Sequence, residues 1–562
     1  MTDTHKEKRS PSLLRRYEKV IGVLLKYGFE DVVAHPPFNR LKGATSRLLS
    51  KRDGRSVLEF TRYERIRLVC QELGPTYIKF AQIMANRPDI LPEELLEELE
   101  KFQDQAKPVP EKAIRDILHV AYGKPVEEVF DYFDPEAIAS ASMAQVHRAR
   151  LKDGQEVVLK VQRPGISITI EEDIAILKSL ARLLENNFPS VGAFQPIELV
   201  KMFEKSIRKE LRFTLELSNL NKFSRQFSEN KDIYVPKAYP EYTTDKVLCM
   251  EYIDGLKITD LKNLEKIGLD GPKLALKGIN LYFQQVFEHG FFHADPHPGN
   301  IFILPDTRVC FIDYGMMGTV IEADKELLAD LLLTIHEQDV EGLKKALKSM
   351  SWDREKIDDK QLEYEIIEFF EEYSEITLEN MEGTEVIATL NNLFFTYKIK
   401  VPSNLLLLLK ALVIIEGVGL ALDPKYNIIA NIAPFVKRLL AKKFAPQKIM
   451  ARLGQTGLAL YKLSAKLPED VGEIVSKLKK GKLHIEFEHK GMEPLLRKLE
   501  TVSNRISFTL LLVALLVSSA LLVIADVAPH YKDMPVLGVG GFVLSGLLAL
   551  RLMYSILRHG NF

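Results

Sequence analysis

The chain has 562 residues, too many for a single hydrophobic core and enough for about three or four domains of roughly 150 residues each. Its 76 basic and 77 acidic residues nearly cancel, which excludes bulk electrostatic attraction to nucleic acid. Cys70, Cys249 and Cys310 lie far apart in apolar contexts without CxxC spacing, so they read as buried free thiols of a reducing compartment.

The first stretch, "MTDTHKEKRSPSLLRRYEKVIGVLLKYG", has no long apolar run after its charges and does not read as a secretory signal. Its basic residues (Lys6, Lys8, Arg9, Arg15 and Arg16) form either a frayed tail or a contact for anionic lipid. Residues 12–34 and 60–105 have helical periodicity. Gly74-Pro75 interrupts the second region, and "PEELLEELEKF" is an amphipathic helix with an acidic first turn. From Phe130 to Val161 the pattern becomes short β-type runs, followed by the helical segments "EEDIAILKSLARLLENNF" and "PIELVKMFEKSIRKELRFTLELSNLNKFSRQF". Strand-like runs return at "KVLCMEYI" and at "NIFIL" and "VCFID" around Pro305-Asp306. Beyond Glu322 the chain is helical again to about Leu467. There "VPSNLLLLLKALVIIEGVGLAL" reads as a buried core helix, since its Lys410 argues against a membrane span. "KLHIEFEH" alternates like an edge strand or an extended linker.

Ile506 to Ala525 is 20 residues without a charge, the length of a membrane span. A second apolar stretch, Met534 to Leu550, follows a short linker, and both flanks of the pair carry basic residues (Lys498, Arg505, Arg551, Arg558). The positive-inside rule then places both termini and the soluble part in the cytoplasm. Ala514/Ser518 and Gly541/Ser545 are small residues four apart that would let the two helices pack closely.

Two segments carry candidate chemistry. "AIASASMAQVHRARLKDGQEVVLKV" reads as a hairpin with an Asp153-Gly154 turn, ending on a strand lysine, Lys160. A phosphate clamp uses this layout, although the loop contains alanine and serine where backbone access to phosphate favours glycine. In "HGFFHADPHPGNIFILPDTRVCFIDYG", Asp295 is followed five residues later by Asn300, and a hairpin then delivers Asp313 in "DYG". Phosphoryl transfer of the kinase type needs such a set: one aspartate to orient the acceptor, and an asparagine and a second aspartate to hold Mg²⁺. His293 stands two residues before Asp295, Glu210 and Glu216 lie on a helix that could supply Lys160 with a carboxylate, and Met250 stands at the neck of a connector suited to adenine. A rival reading takes His293, Asp295 and His297 as one metal-binding face of an iron oxygenase or metal hydrolase. It leaves Lys160, Asn300 and Asp313 without a role.

On these residues, together with "LGPTYIKFAQIMANRPDILP", "FQDQAKPVP", "ELRFTLELSNL" and "FFHADPHPGNI", the sequence resembles the UbiB family, atypical kinase-like proteins tied to ubiquinone biosynthesis. The resemblance implies an α+β, protein-kinase-like two-lobed fold with an N-terminal helical extension and a C-terminal two-helix transmembrane hairpin. The expected divisions are residues 1–129 for the extension, 130–253 for the N-lobe, 254–500 for the C-lobe and helical tail, and 501–562 for the hairpin.

The resemblance also implies ATP or ADP with Mg²⁺ as cofactors. Nucleotide contacts would come from the alanine-rich loop (Ile138, Ala139, Ser140, Ala141, Ser142, Met143, Ala144, Gln145 and Val146) and from Lys160 with Glu216, Glu251 and Ile253. Asp295 would be the catalytic aspartate, and Asn300 and Asp313 the metal ligands. A regulatory K-x-G-Q element would be Lys79-Phe80-Ala81-Gln82, folded over the site with Glu210 facing it. Ala81 replaces the family's glycine, and Arg212 reverses a charge in its E-x-D motif, which puts the pairing of Lys79 in doubt. The expected partners are membrane lipid, a quinone precursor and other quinone-biosynthesis proteins, with a homodimer possible through the hairpin and no nucleic acid. The expected location is the inner membrane.

Overall fold

The computed structural model describes residues 11–34, 51–52, 55–102, 108–188, 195–266, 268–350, 358–372, 383–397, 399, 401–428, 431–432, 435, 438, 441, 493–531 and 534–559. Lys6, Lys8, Arg9 and the "KLHIEFEH" segment lie outside the described residues. The chain divides into two compact units, Met1–Ala451 and Arg452–Phe562.

Within the first unit the N-terminal helices are α1 (Pro11–Lys26), α2 (Arg62–Leu73), α3 (Pro75–Met84), α4 (Glu93–Glu100) and α5 (Glu111–Tyr122). Thr61 caps α2 through a reciprocal box: Glu64 N–H donates to its hydroxyl at 3.1 Å, and Thr61 N–H donates to the Glu64 carboxylate at 2.7 Å. Gly74, at φ 101°, ends α2, and Pro75 starts α3 at a position whose N–H needs no partner. Arg16 is spent on this packing and not on lipid. Its guanidinium binds both oxygens of buried Asp173 at 2.7 and 2.8 Å and the Leu73 carbonyl at 3.0 Å. Leaving Asp173 unpaired would strand a buried carboxylate at a cost of about 3–5 kcal/mol.

Strands β1 (Phe130–Ser140), β2 (Ala144–Leu151) and β3 (Glu156–Gln162) follow. Helices α6 (Ile166–Asn187), α7 (Pro196–Glu210) and α8 (Phe213–Gln226) then lead to β4 (Val247–Glu251). The four strands form an antiparallel sheet in the order β1-β2-β3-β4. Alternation decides what each face of β3 meets. Val157, Leu159 and Val161 are buried together with Ile114 and Leu118 of α5, so Val158 and Lys160 face the other way, Val158 into the main core. Helices α6 and α7 bury their apolar stripes against α1–α4 and Met143, so the N-terminal helices share one core with helices that follow the sheet.

The C-terminal part of the unit contains α9 (Gly271–Phe283), β5 (Phe291–His293), β6 (Ile301–Ile303), β7 (Val309–Phe311), β8 (Met317–Thr319), α10 (Glu322–His336), α11 (Gly383–Thr396) and α12 (Ser403–Leu422). Strands β6 and β7 pair around the turn expected at Pro305-Asp306, with Ile301 opposite Phe311. β5 pairs with β8, placing His293 opposite Met317. A π-turn at Gln284–His289 closes α9, and Gly290 (φ 61°) leads into β5 so close to Val320 that a β-carbon there would lie 2.6 Å from its carbonyl oxygen. As expected, α12 is a core helix: Leu405, Leu406, Leu408, Leu409 and Ala411 are buried in the main cluster.

The second unit contains α13 (Glu493–Ile524) and α14 (Val536–His559), packed as a hairpin. Two helices among the described residues are long and apolar enough to cross a membrane, Ser403–Leu422 and Val502–Ile524; Val536–Arg551 is a shorter apolar helix. Half of the first is buried, against 6% of the second. The small residues at the crossing differ in part from the expected set. Ser519 and Ser545 are buried, and a β-carbon at Gly541 would overlap Ser519, but Ala514 and Ser518 are exposed. At 100° per residue, position 519 turns toward α14 while 514 and 518 turn aside.

Candidate active site

Lys160 reaches its site because β3 exposes it on the face opposite the α5 contact, with Val146 and Leu248 beside it across the sheet. Its Nζ lies 2.9 and 3.0 Å from the two oxygens of buried Glu216 on α8, and 3.4 Å from Asp313 Oδ1. Burial alone would pull the ammonium down, but Asp313 and Glu216 outweigh it and hold Lys160 above the ordinary lysine value. Burial pushes the Glu216 carboxyl up to about 7, against the pull of Lys160. Desolvation also opposes the Asp313 charge, although 41% of its side chain is exposed, yet Lys160 and the Gly315 N–H, which donates to Oδ1 at 2.8 Å, hold it well below the usual carboxylate range.

The hairpin β6–β7 delivers Asp313, and the turn before it positions Asn300. Asn300 N–H donates to the His297 carbonyl at 2.8 Å, and Ile312 N–H donates to the Asn300 carbonyl at 3.1 Å. Asp295 is exposed at the end of the β5 segment. His293 is buried: its Nε2 donates to the Asp313 main-chain carbonyl, its N–H donates to Gln285 Oε1 at 2.9 Å, and its ring stacks on Phe311. Burial lowers its pKa, against the pull of Asp313 and Asp295. The rival metal reading therefore keeps only the buried Nδ1 of its first ligand, since Nε2 is taken by a structural bond. The His297 ring is exposed and accepts from Gly299 N–H at 3.1 Å in its own turn. Among the described residues, no three His, Cys, Asp or Glu side chains gather as a metal cluster. Asp313 and Asn300 instead offer hard oxygen donors, the chemistry that suits Mg²⁺.

The nine residues of the alanine-rich loop, expected to line a nucleotide, differ in exposure. Ile138 and Ala139 are exposed, Ser140 and Ala141 are partly so, and Val146 lies on the Lys160 face. Ser142, Met143, Ala144 and Gln145 are buried. Met143 packs among the N-terminal helices, and Gln145 Oε1 accepts the Val109 N–H at 3.0 Å. Burial leaves the backbone and the outer residues as the accessible part of the loop. Arg163 fixes this arrangement: Nε donates to the Ala141 carbonyl and Nη2 to Ser140 Oγ, both at 2.8 Å, and its own N–H donates to the Met143 carbonyl at 3.0 Å. Sequence reading missed Arg163, although an arginine directly after a lysine-bearing strand was the available signal.

In the connector, the Glu251 carboxylate is taken by Tyr234 OH at 2.7 and 2.8 Å and by Lys237 N–H at 2.9 Å, leaving its main chain as the group available to a base. Ile253 follows where the chain has left the sheet, and is partly buried. Lys79 pairs with Glu210 at 2.7 Å. Arg212 does not interfere, because it turns toward Asp245 at 3.9 Å with more than half of its side chain exposed. Ala81 is 1% exposed and its methyl group belongs to the core of the N-terminal helices; Gln82, one position on, is partly buried. Tyr314 was also missed. It is buried against Phe223 and His293, and its carbonyl accepts from Asn219 Nδ2 at 3.0 Å, which anchors the residue after Asp313 to α8.

Comparison with known proteins gives the chain's family. The ABC1 atypical kinase-like domain matches residues 101–347, the UbiB helical domain residues 366–427, and the ABC1/UbiB kinase-like C-terminal domain residues 490–558. An uncharacterized protein in the hydrogenase 1 5′ region of Clostridium pasteurianum is 31% identical over 97% of this chain and 99% of its own. A probable protein kinase UbiB of Cellvibrio japonicus is 37% identical over 70% of this chain and 72% of its own. Its counterpart in Pseudomonas aeruginosa is 35% identical over 79% and 84%. A lysine–glutamate–aspartate cluster on a kinase-like scaffold thus coincides with likeness along most of the chain, which belongs to the ABC1/UbiB family of atypical kinase-like proteins.

Proposed function

We propose that this protein binds ATP with Mg²⁺ between its sheet and its β6–β7 hairpin, and uses it for hydrolysis or for phosphoryl transfer to a small molecule, in support of isoprenoid quinone (ubiquinone) synthesis at a membrane. The observation that carries the reading is the meeting of Lys160, Glu216 and Asp313 within 3.4 Å, from residues up to 153 positions apart. Lys160, aimed by Glu216, holds the nucleotide phosphates. Asp313 and Asn300 hold the cation, which when bound neutralises charge on the phosphates. Asp295 orients the acceptor oxygen and receives its proton as the new P–O bond forms and the bond to the β-phosphate oxygen breaks. His293 fixes the Asp313 main chain and thus the position of its carboxylate.

Eight residues lie between Asp313 and the start of α10 at Glu322, leaving little chain for a peptide-docking activation segment. Lys79 and Glu210 bring the N-terminal helices beside the Lys160 cluster. Both features favour water or a small acceptor over a protein. The apolar hairpin α13–α14 supplies the membrane anchor, with the cytoplasmic side on its basic flanks. The relatives' name, probable protein kinase, keeps transfer to proteins as the competing outcome.

The test uses the full chain in lipid nanodiscs with labelled ATP. Mg²⁺-dependent phosphate release that Asp313→Asn and Lys160→Met abolish supports the proposal. Efficient label transfer to added proteins overturns it in favour of a protein kinase. In a deletion strain, rescue of quinone synthesis by Asp295→Asn would leave only a nucleotide-sensing scaffold.

A further inference from the structure

Helix α12 carries only two charged residues, Lys410 and Glu416. Glu416 is occupied structurally. It is buried, and it accepts from Gly383 N–H at 2.8 Å and Thr384 Oγ1 at 2.6 Å, holding the start of α11. Lys410 is different. Its Nζ donates to the neutral amide oxygen of Asn86, just beyond α3, at 2.5 Å. A neutral side chain would make the same tie to the amide without the cost of taking a charge partly out of water.

Its surroundings give the charge a purpose. Helix α12 packs against β8. Met317 of β8 pairs with His293, and the Met316 carbonyl accepts Ala294 N–H at 3.0 Å, so the helix flanks the segment that ends in Asp295. Burial lowers the Lys410 ammonium, while Asp295 of that segment and Glu100 of α4 favour it and Lys79 of α3 opposes it. Lys160 is bound by Asp313 and Glu216, whereas Lys410 is bound by Asn86 and feels the charge of Asp295 only through space. A carboxylate repels phosphate, so the Asp295 side of the site needs a cation where the transferred group arrives.

We propose that Lys410 is a phosphate-binding residue of this site: its ammonium, steadied by Asn86, receives the phosphoryl group beside Asp295, as inorganic phosphate after hydrolysis or as the phosphate of a phosphorylated acceptor. This rests on the reading of the site as ATP-using. ADP binding through Lys160 is independent of Lys410, which separates the two readings. If the native chain fails to bind Mg²⁺–ADP, the ATP reading fails; if it binds and the results below are negative, only the role of Lys410 fails.

The experiment measures inhibition of ATP hydrolysis by inorganic phosphate and by phenyl phosphate, with fluorescent-ADP affinity in parallel, on the full chain in nanodiscs. Lys410→Gln is expected to weaken inhibition about 10-fold or more, the effect of one charge-assisted hydrogen bond. It should lower kcat and leave ADP affinity unchanged, and Lys410→Arg should restore most of the inhibition. Weakening confined to inorganic phosphate assigns the residue to hydrolysis, and weakening that includes phenyl phosphate assigns it to a phosphorylated acceptor. Lys410→Met, which keeps the stem's packing, gives the same readout if the glutamine variant does not fold. Unchanged inhibition by both probes with ADP affinity intact, or loss of ADP affinity in step with inhibition, overturns the proposal.

Discussion

Replacing Glu216 with glutamine removes the charge that aims Lys160 and preserves the volume. In the native site Lys160 Nζ lies 2.9 and 3.0 Å from the two Glu216 oxygens and 3.4 Å from Asp313 Oδ1. The amide offers one acceptor oxygen without charge, so the ammonium is drawn toward Asp313, the carboxylate needed for the cation. A charge-assisted hydrogen bond is worth about 1.5–3 kcal/mol. With about 1.4 kcal/mol per tenfold, losing one well-aimed lysine–phosphate bond weakens nucleotide binding about 10- to 100-fold. The fold suffers less. Removing the sole partner of a buried charge costs about 3–5 kcal/mol, but Asp313 remains for Lys160, so we expect about 1–2 kcal/mol. Titration of Glu216→Gln with fluorescent ADP and Mg²⁺, alongside thermal unfolding, measures both. A folded variant that binds nucleotide within about threefold of the native protein would refute the role given to the pair.

Arg163→Ala should free the alanine-rich loop from its hydrogen bonds at Ser140, Ala141 and Met143 with a loss of about 1–3 kcal/mol locally, read as faster amide exchange over 139–144 than elsewhere in the sheet. Ala141→Gly should change the preference between ATP and ADP, and an unchanged nucleotide profile would count against a nucleotide-facing loop. Burial lowers His293 from 6.5 although Asp313 and Asp295 oppose it, so the unfolded chain takes up that proton first. Its stability contribution is complete above about pH 6.5 and is lost as pH falls through the folded value; His293→Gln, still able to donate to the Asp313 carbonyl, should flatten the acid limb of urea-unfolding curves. In the hairpin, Ser519→Cys with Gly541→Cys should cross-link within one chain in membranes, the native thiols being buried, and products of doubled mass alone would contradict the packing of α13 on α14.

Local order was legible in the residues themselves. The strand–turn–strand around Asp153-Gly154, the lysine at its end, the spacing from Asp295 to Asn300 and the hairpin that delivers Asp313 are all features within 25 residues of chain, where turn chemistry and period 2 alternation dominate. The same locality identified α12 as a core helix and α13 as apolar enough for a membrane. Contacts across long stretches of sequence were another matter. Charge and helix position did not determine whether Glu210 or Glu216 would meet Lys160; packing of α8 under the sheet selected Glu216 and left Glu210 to Lys79. Arg212 is harmless because α8 begins there and turns the side chain toward Asp245. The loop composition suggested nine nucleotide contacts; four of those side chains are buried, Met143 and Ala144 in hydrophobic clusters, while Arg163 ties the loop to the end of β3. Lys410, read from sequence only as a charge unsuited to a membrane span, lies on a helix that packs on β8, the strand paired with the segment leading to Asp295. Sequence determines which groups are available and how near neighbours in the chain are arranged. Which distant charges share a site depends on the burial of apolar faces between helices and sheet, a collective term no single motif contains.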